Sequence, residues 1–304
     1  MGYGRIKARL DAGRTIILDG GTGTELEKRG APMNEAAWCG LVAIEQPELL
    51  ESVHADYIEA GADVITANTF ASSRLMLEVA GAADRVQEIA TAAIETAKRA
   101  RDQSGREIAI AGSLSHMVPV ASGTDNILGD GPDTATMQVA FEELAEALVT
   151  GGAELIILEM MYFPERMKLA IDAALATGLP VWCGLSARSD SDGRLLSFSR
   201  QKEIPFADVI ASLPETDFDA VGVMHTHLND IAPALRMLDG RGPLMAYPDS
   251  GYFAMPNWQF VDIATPEGLV AHARNWQNLG TLVFGGCCGI GVEHIRALSA
   301  LRND

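Results

Sequence analysis

Short apolar runs alternate with longer stretches of helical spacing along this chain, and no other feature of the sequence constrains its fold as strongly. Such alternation is typical of repeated βα units around a parallel sheet. Eight runs are predicted to be strands: Thr15 to Leu18, Asp63 to Phe70, Glu107 to Leu114, Leu155 to Met161, Val181 to Ala187, Asp219 to His225, Pro243 to Asp249 and Thr281 to Cys288. Helices are predicted over Pro47 to Ala60, Ala83 to Arg101, Thr134 to Thr150, Pro164 to Ala176, Pro266 to Gln277 and Gly291 to Leu301.

Eight such units in 304 residues predict a single (β/α)8 TIM barrel, a fold that commonly needs about 250 residues plus insertions. Residues 1–304 are predicted to form one domain, because no Ser/Gly/Pro-rich linker or low-complexity tract divides them. A doubly wound open sheet is the alternative, suggested by the glycines of Gly20 to Thr24. These glycines do not form the G-x-G-x-x-G spacing, followed by a helix and a distant acidic residue, of a dinucleotide site. The closed barrel is therefore preferred.

Composition excludes several classes of partner. A formal net charge of −18 would repel a phosphate backbone or an anionic membrane surface, so neither nucleic acid nor a membrane is expected and a small-molecule ligand is favoured. No apolar run reaches the roughly 18 to 20 residues that span a bilayer. Four cysteines are too few for a disulfide framework, and no signal segment opens the sequence, which predicts a reducing cytoplasm. The oligomeric state is left open, a homo-oligomer included.

Polar residues follow or close every predicted strand. In a (β/α)8 barrel the carboxyl ends of the strands meet at one rim, where active sites are built. Each position alone has a plain interpretation as a turn or cap residue, but eight together predict a site. In chain order they are Asp19, Asn68, Ser113, Glu159, Ser186, His225, Asp249 and the pair Cys287 and Cys288.

The adjacent thiols of Cys287 and Cys288, flanked by glycines in Gly285 to Gly289, indicate a metal site. Neighbouring cysteines rarely form a disulfide without strain, whereas the glycines allow a sharp turn that directs both sulfurs to one point. Zinc is the natural ion for thiolates, and it needs at least one more protein ligand. His225 is the predicted third ligand, because only one strand separates its strand end from that of the cysteines. His227 is the fallback ligand.

Several segments together resemble the homocysteine S-methyltransferase family. The resemblance runs from near the N-terminus to near the C-terminus, and the motifs fall in the family's order at successive strand ends. The segments are Leu18 to Leu26, Gly61 to Ile65, Asn68 to Phe70, Ala111 to Ser113, Glu159, Tyr247 to Gly251 and Gly285 to Gly289.

This resemblance implies a Zn²⁺-dependent barrel that transfers a methyl group to the sulfur of a thiol amino acid. His225, Cys287 and Cys288 would be both metal ligands and catalytic residues. Asp19 and Glu159 would hold the substrate amino group, since a buried ammonium needs an anionic partner. Independently, a free thiol with a pKa of about 8.5 is mostly protonated at neutral pH, and zinc would favour its thiolate. The other predicted substrate-binding residues are Asn68, Ser113, Asp249 and Trp38.

The sequence departs from the family pattern in three places. In Gly222 to Thr226, His225 stands where the family has its first zinc cysteine. Because imidazole is neutral, the ion would be more electrophilic, which should lower both the pKa of a bound thiol and the nucleophilicity of its thiolate. Ser115 and His116 replace a Gly-Pro pair, so His116 is either a solvated loop residue or part of the pocket. The third departure is Gly184 to Arg188, which keeps the serine of the family's fifth-strand motif, Ser186, but not the residues around it.

Aromatic residues cluster in the loop after the seventh strand, although aromatics form only 6% of the chain. Together with Trp38 they could bind a sulfonium or quaternary ammonium group through cation–π attraction. The alternative is that these rings pack the loop onto the barrel. The loop from Ser115 to Asp133 is long enough to be a lid over the site. The clustered aromatics are Tyr252, Phe253, Trp258 and Phe260.

The leading hypothesis is a zinc-dependent S-methyltransferase that acts on homocysteine or a close thiol analogue, with a sulfonium or betaine-like methyl donor. One alternative is a metal-assisted hydrolase or lyase, in which His225, a bound water and a carboxylate perform acid–base chemistry. A second alternative is a homocysteine-binding subunit that works with a separate corrinoid protein. A requirement for a thiol substrate, and activity without a second protein, distinguish the three.

Overall fold

The strands predicted from the sequence form one closed sheet. A computed structural model describes residues 2–34, 37–120, 131–216, 218–254 and 259–302. The sheet within these residues consists of eight parallel strands: β1 (Ile16–Ile17), β2 (Val64–Ala67), β3 (Ala109–Ser115), β4 (Leu155–Met161), β5 (Val181–Leu185), β6 (Ala220–His227), β7 (Leu244–Asp249) and β8 (Thr281–Phe284). Their order is β1–β8–β7–β6–β5–β4–β3–β2, and a bridge between Leu18 and Val64 closes the circle. The prediction of a (β/α)8 TIM barrel is confirmed.

Several strands end earlier than the apolar pattern predicts. Beyond these ends the backbone N–H and C=O groups bond to other partners than the neighbouring parallel strand. β8 ends at Phe284 rather than at Cys288, and the Gly286 N–H donates to the Asp19 carbonyl instead. β5 ends at Leu185, after which Ala187–Ser189 pairs with Leu195–Ser197 in an antiparallel hairpin. β1 is only two residues long. The barrel is therefore closed by its shortest strand.

Helices surround the sheet, and all six predicted stretches are helical. Three of them have the predicted bounds, and the other three differ at their ends by up to three residues or divide into an α-helix and a 3-10 turn. The unpredicted helices are four to ten residues long, and one of them contains Pro233, which weakens a helical pattern. No helix in the described part of the chain is both long and apolar enough to cross a membrane. The helices are α1 (Gly2–Asp11), α2 (Thr22–Lys28), α3 (Val42–Glu45), α4 (Pro47–Ala60), α5 (Arg74–Val79), α6 (Val86–Ser104), α7 (Thr134–Gly151), α8 (Pro164–Ala176), α9 (Phe206–Ala211), α10 (Leu228–Arg236), α11 (Pro266–Gln277) and α12 (Val292–Leu298), with 3-10 turns at Ala83–Arg85 and Ser299–Leu301.

Two apolar layers hold this architecture together. Along β4, Leu155 and Ile157 belong to the layer inside the barrel, whereas Ile156 and Leu158 pack against the helices. Strands buried on both faces are continuous apolar runs in the sequence, and their alternation with longer helical stretches is what predicted them. Helix α1 joins the inner layer and covers the amino end of the barrel, where the Trp182 indole N–H donates to Tyr3 Oη at 3.3 Å. The carboxyl end is left as the mouth.

His54 on α4 is a polar residue in the outer layer. It is 0% exposed, and neither ring nitrogen has a hydrogen-bond partner among the described residues. Burial lowers the pKa of His54 to about 4, from an ordinary value of 6.5. An imidazole without partners in this position opposes folding, because its hydration is lost and not replaced.

His54→Leu is expected to stabilise the protein by about 2 kcal/mol more at about pH 5 than at about pH 8. The pKa of His54 is lower in the folded protein, so as the pH falls from about 6.5 towards 4 the unfolded chain binds the proton first and the wild type loses stability. The His54→Leu variant has no imidazole at this position, so its free energy of unfolding does not fall for this reason. Denaturant unfolding at the two pH values measures it, and an equal difference at both would contradict the expectation.

Candidate metal and substrate site

Three side chains that could bind a metal ion converge at the mouth of the barrel. The ring of His225 and the thiols of Cys287 and Cys288 place one ligand atom each within 4.8 Å of the others. Cys287 Sγ lies 3.4 Å from His225 Nδ1 and 3.8 Å from Cys288 Sγ. The structure therefore brings together the trio that the sequence predicted.

The cysteine loop after β8 is fixed by backbone contacts to the end of β7. The Cys287 N–H donates to the Pro248 carbonyl at 2.7 Å, and the Cys288 carbonyl accepts from Ser250 N at 3.0 Å. Gly289 turns the chain with φ +78°, and a Cβ there would lie 2.3 Å from the Ser250 carbonyl oxygen. Glycine is required because both the positive φ and the close approach exclude a side chain. The two thiols are thus held on a rigid turn.

His225 is directed to the cysteines by a β-bulge near the end of β6. Pairing with β7 shifts by one residue between Met224 and His227, and His225 has a φ of +41°. Bulges at the rim of a barrel change the direction of a side chain, and a positive φ at a residue other than glycine is strained backbone of the kind concentrated at functional sites. Phe198 packs edge-on against the imidazole, with centroids 5.0 Å apart.

The geometry and charge of the trio fit a zinc ion. Tetrahedral coordination with zinc–sulfur distances of about 2.3 Å separates two sulfurs by roughly 3.8 Å, which is the spacing observed. Burial lowers the pKa of His225, but contact with Cys287 and the negative charges of Asp249 and Glu159 raise it more. Surroundings that retain a proton on an imidazole also favour a bound cation. All three residues are partly exposed, so a further ligand could reach an ion held by them.

Glu159 and Ser113 form a second polar pair in the mouth, on neighbouring strands. The Ser113 hydroxyl donates to Glu159 Oε2 at 2.5 Å. Glu159 also lies in a one-residue bulge, between Leu158 and Met161 of β4, beside Met160 with φ +55°. Desolvation raises the pKa of Glu159 to about 7, although Ser113 and His225 oppose the shift. Its second carboxylate oxygen has no partner among the described residues and is available to a ligand.

Asp19 and Asn68 lie at the rim but bind the protein itself. The Asp19 carboxylate accepts from Thr66 N at 2.7 Å and from Thr66 Oγ1 at 2.9 Å. Burial raises the pKa of Asp19 to about 8. The Asn68 amide donates to the Cys39 carbonyl at 2.7 Å and accepts from the Cys39 thiol at 3.1 Å. The Asn68 contacts fix the loop that carries Trp38, and the Asp19 contacts join the end of β1 to β2.

The remaining predicted residues differ in their relation to the trio. Asp249 ends β7 and is close enough to His225 to raise its pKa. His227 caps α10, accepting from Asn229 N at 3.3 Å, and is not part of the metal-binding group. Trp38 is half-buried and stacks on Phe70 at 5.7 Å.

The predicted aromatic cage and lid are only partly described. Trp258 and residues 121–130 lie outside the described residues. Tyr252, Phe253 and Phe260 contribute backbone to a hairpin of Tyr252–Ala254 with Gln259–Val261, and their side chains also lie outside the described part. The role of these aromatic rings stays a prediction.

His116 is a buried residue of the mouth, not a solvated loop residue. It is 0% exposed, and its Nε2 accepts from Phe163 N at 3.2 Å. Its ring meets Tyr162 edge-on at 4.6 Å, and Tyr162 meets Phe198 at 5.7 Å. A line of aromatic rings thus connects His116 to His225. This line could hardly be predicted from the sequence, because His116, Tyr162 and Phe198 come from three separate loops.

Comparisons with known proteins agree over nearly the whole chain. The sequence profile of a family described as homocysteine S-methyltransferase matches residues 16–301. The chain is 29% identical to homocysteine S-methyltransferase from Escherichia coli, over 97% of each protein. It is 28% identical to betaine–homocysteine S-methyltransferase 1 from Bos taurus, over 97% of this chain and 74% of that protein.

A solved structure supports the fold. The metallated form of the homocysteine methyltransferase MmuM from Escherichia coli superposes with a TM-score of 0.75 and 24% sequence identity, covering 97% of this chain and 99% of the other. At this identity the likeness establishes the barrel and not the chemistry. Evidence for the chemistry has to come from the sequence family and from the residues at the mouth.

Proposed function

The chain belongs to the homocysteine S-methyltransferase family, and we propose that it transfers a methyl group from a sulfonium or betaine-like donor to the sulfur of homocysteine or a close thiol analogue, with Zn²⁺ held by His225, Cys287 and Cys288. The observation that carries this proposal is the spacing of the three ligand atoms at an open barrel mouth. Three protein ligands with one open position are the usual arrangement of a catalytic zinc.

Zinc bound by these residues would keep the acceptor sulfur as a thiolate at neutral pH, which a free thiol with a pKa of about 8.5 is not. The thiolate is the nucleophile in the reaction. A sulfur–carbon bond forms to the methyl group while the bond from methyl to the donor sulfur or nitrogen breaks, and a neutral thioether or amine leaves. No proton is needed by the leaving group.

The chain's own residues position the acceptor. Glu159 offers a carboxylate oxygen in the mouth, and its negative charge helps to raise the pKa of His225. An α-ammonium bound there would form a charge-assisted hydrogen bond in a partly desolvated place, where such bonds are strong. The Ser113 hydroxyl donates to the other carboxylate oxygen and fixes its orientation. Asp19 is already bound to Thr66, and burial raises its pKa to about 8. It would therefore support the site by holding the end of β1 against β2 rather than by pairing with the ammonium.

The test is methyl transfer from S-methylmethionine or glycine betaine to homocysteine, followed by mass spectrometry, with zinc-loaded protein and with the same protein treated with a chelator. We expect turnover in the loaded sample without any second protein, and release of about one proton per thiol bound. A loaded protein that binds about one zinc per chain but methylates no thiol with any sulfonium or betaine donor would contradict the proposal. Activity that appears only when a corrinoid protein is added would favour a methyl-acceptor subunit instead.

A further inference from the structure

Arg166 is a buried cation that has no anionic partner in the described part of the chain. It is the third residue of α8 and only 7% exposed. Its guanidinium carbon lies 4.7 Å from the centroid of Phe163 and 5.7 Å from that of Tyr162. Among the described residues it has no hydrogen-bond acceptor and no carboxylate partner, and its Nε is buried without any contact of this kind.

Such an arrangement is unfavourable unless something binds the charge. Stacking on aromatic rings offsets only part of the cost of burying a charge that has no ionic or hydrogen-bonded partner. Arg74 and Arg188 show how this protein satisfies other arginines. Arg74 forms two bonds to the Glu143 carboxylate, and both Nε and Nη2 of Arg188 donate to the Ser199 carbonyl. Arg166 differs from them in being both buried and unpaired.

The position of Arg166 connects it to the mouth. Its guanidinium lies over Tyr162, which meets Phe198, and Phe198 meets the ring of His225. The loop that carries Tyr162 and Phe163 follows β4, the strand of Glu159. Arg166 is therefore separated from the candidate metal ligands by two aromatic rings along this line.

Two further features make this corner of the mouth suited to an anion. Lys202 Nζ lies 4.7 Å from the centroid of the same Phe163 ring, so two positive groups share one ring in a chain with a net charge of −18. The Nδ1 of His116 is a second buried nitrogen for which the described residues provide no hydrogen-bond partner. Because Nε2 of that ring accepts from Phe163 N, the proton of the neutral imidazole lies on Nδ1.

We propose that Arg166 binds the carboxylate of a substrate in the mouth and thereby selects anionic substrates over uncharged ones. This inference rests on the proposed function. Arginine suits the task because its planar guanidinium matches a carboxylate with two parallel hydrogen bonds, and the Tyr162 and Phe163 rings hold its plane. The carboxylate belongs either to the thiol acceptor or to the methyl donor, and the experiment distinguishes the two.

The experiment compares wild type, Arg166→Gln and Arg166→Lys on matched substrates. Homocysteine is paired with its methyl ester, and S-methylmethionine or glycine betaine with its methyl ester. Arg166→Gln is expected to lower kcat/KM about 100-fold for whichever substrate presents the carboxylate, and to leave kcat/KM for the matching ester unchanged. Arg166→Lys should recover part of the loss. A loss confined to the acceptor pair assigns the carboxylate to the thiol, and one confined to the donor pair assigns it to the donor.

Arg188→Gln is the matched control, because it removes an equal charge from the neighbouring hairpin while its guanidinium is already satisfied by Ser199. Equal losses in Arg166→Gln and Arg188→Gln, or equal losses on acids and esters, would overturn the inference. A purely structural role would lower the melting temperature of Arg166→Gln, whereas removal of an unpaired buried charge should not lower it.

Calorimetric titration separates this inference from the proposed function. Homocysteine and the donor are titrated singly into wild type and Arg166→Gln, so no turnover is needed. If the wild type methylates nothing, the proposed function fails, but a binding enthalpy for one of these carboxylates that disappears only in Arg166→Gln still supports the carboxylate site. Equal binding by both proteins rejects it.

Discussion

Cys287→Ser and Cys288→Ser are each expected to lose stoichiometric zinc and at least about 1000-fold in kcat/KM for methyl transfer. Without the ion, only a few per cent of a thiol with a pKa of about 8.5 is ionised at neutral pH, a loss of roughly 30-fold. Misplacement of the nucleophile by about 1 Å adds on the order of 100-fold. Elemental analysis and initial rates measure the two effects on the same samples.

Cys183→Ala is the control for this pair. Cys183 is a free thiol buried in β5, away from the trio, so its removal should leave the zinc content at the wild-type value. Either serine variant that keeps full zinc content and full activity would show that the cysteines do not hold the catalytic ion.

Glu159→Gln is expected to raise the KM for homocysteine about 100-fold while zinc content stays unchanged. The amide keeps the hydrogen bond from Ser113 but loses the charge, and replacing a charged partner of a partly buried ammonium removes on the order of 3 kcal/mol. Steady-state kinetics over a range of homocysteine concentrations measure the effect. A thiol acceptor without an amino group should be turned over equally by both proteins, and a matching loss with that acceptor would contradict the assigned role.

The same residue predicts a pH dependence. Since desolvation raises the pKa of Glu159 to about 7, the carboxylate loses its charge as the pH falls through that value. The kcat/KM of the wild type for homocysteine should therefore decrease about tenfold per pH unit below about pH 7. Glu159→Gln should lack this inflection. An identical inflection in the two proteins would assign it to another group.

The barrel could be predicted because its strands are buried on both faces. Runs such as Leu155–Met161 contain few polar residues, and glycine or proline punctuates the segments between them. The ends of the strands were less predictable. Whether a residue such as Ala187 continues β5 or starts a hairpin depends on the partner strand that its N–H finds, and local sequence does not encode that partner.

The trio could also be predicted in advance, because thiolates and imidazole at the ends of β6 and β8 must be neighbours in a closed barrel. The bulges that direct Glu159 and His225 into the mouth left no signal, since Met160 and His225 adopt positive φ without being glycine. The sequence does contain an indication that Arg166 is unusual. A charged residue beside Met167 and one turn before Ala170, on the buried face of α8, is unusual enough to indicate a function.

Asn68 and Asp19 show the limit of inference from position. Both lie at strand ends as predicted, yet one binds Cys39 and the other Thr66. A polar residue at the rim can face a ligand or a neighbouring strand, and the sequence does not distinguish the two directions.

The shortest strand of the barrel and the cysteine loop are mechanically connected. β1 contributes two paired residues, and two contacts to the cysteine loop supplement them, from Gly286 N to the Asp19 carbonyl and from Gly21 N to the Ile290 carbonyl. An ion bound by Cys287 and Cys288 would hold the loop on which the first repeat rests. Loss of the metal should therefore also weaken the closure of the barrel.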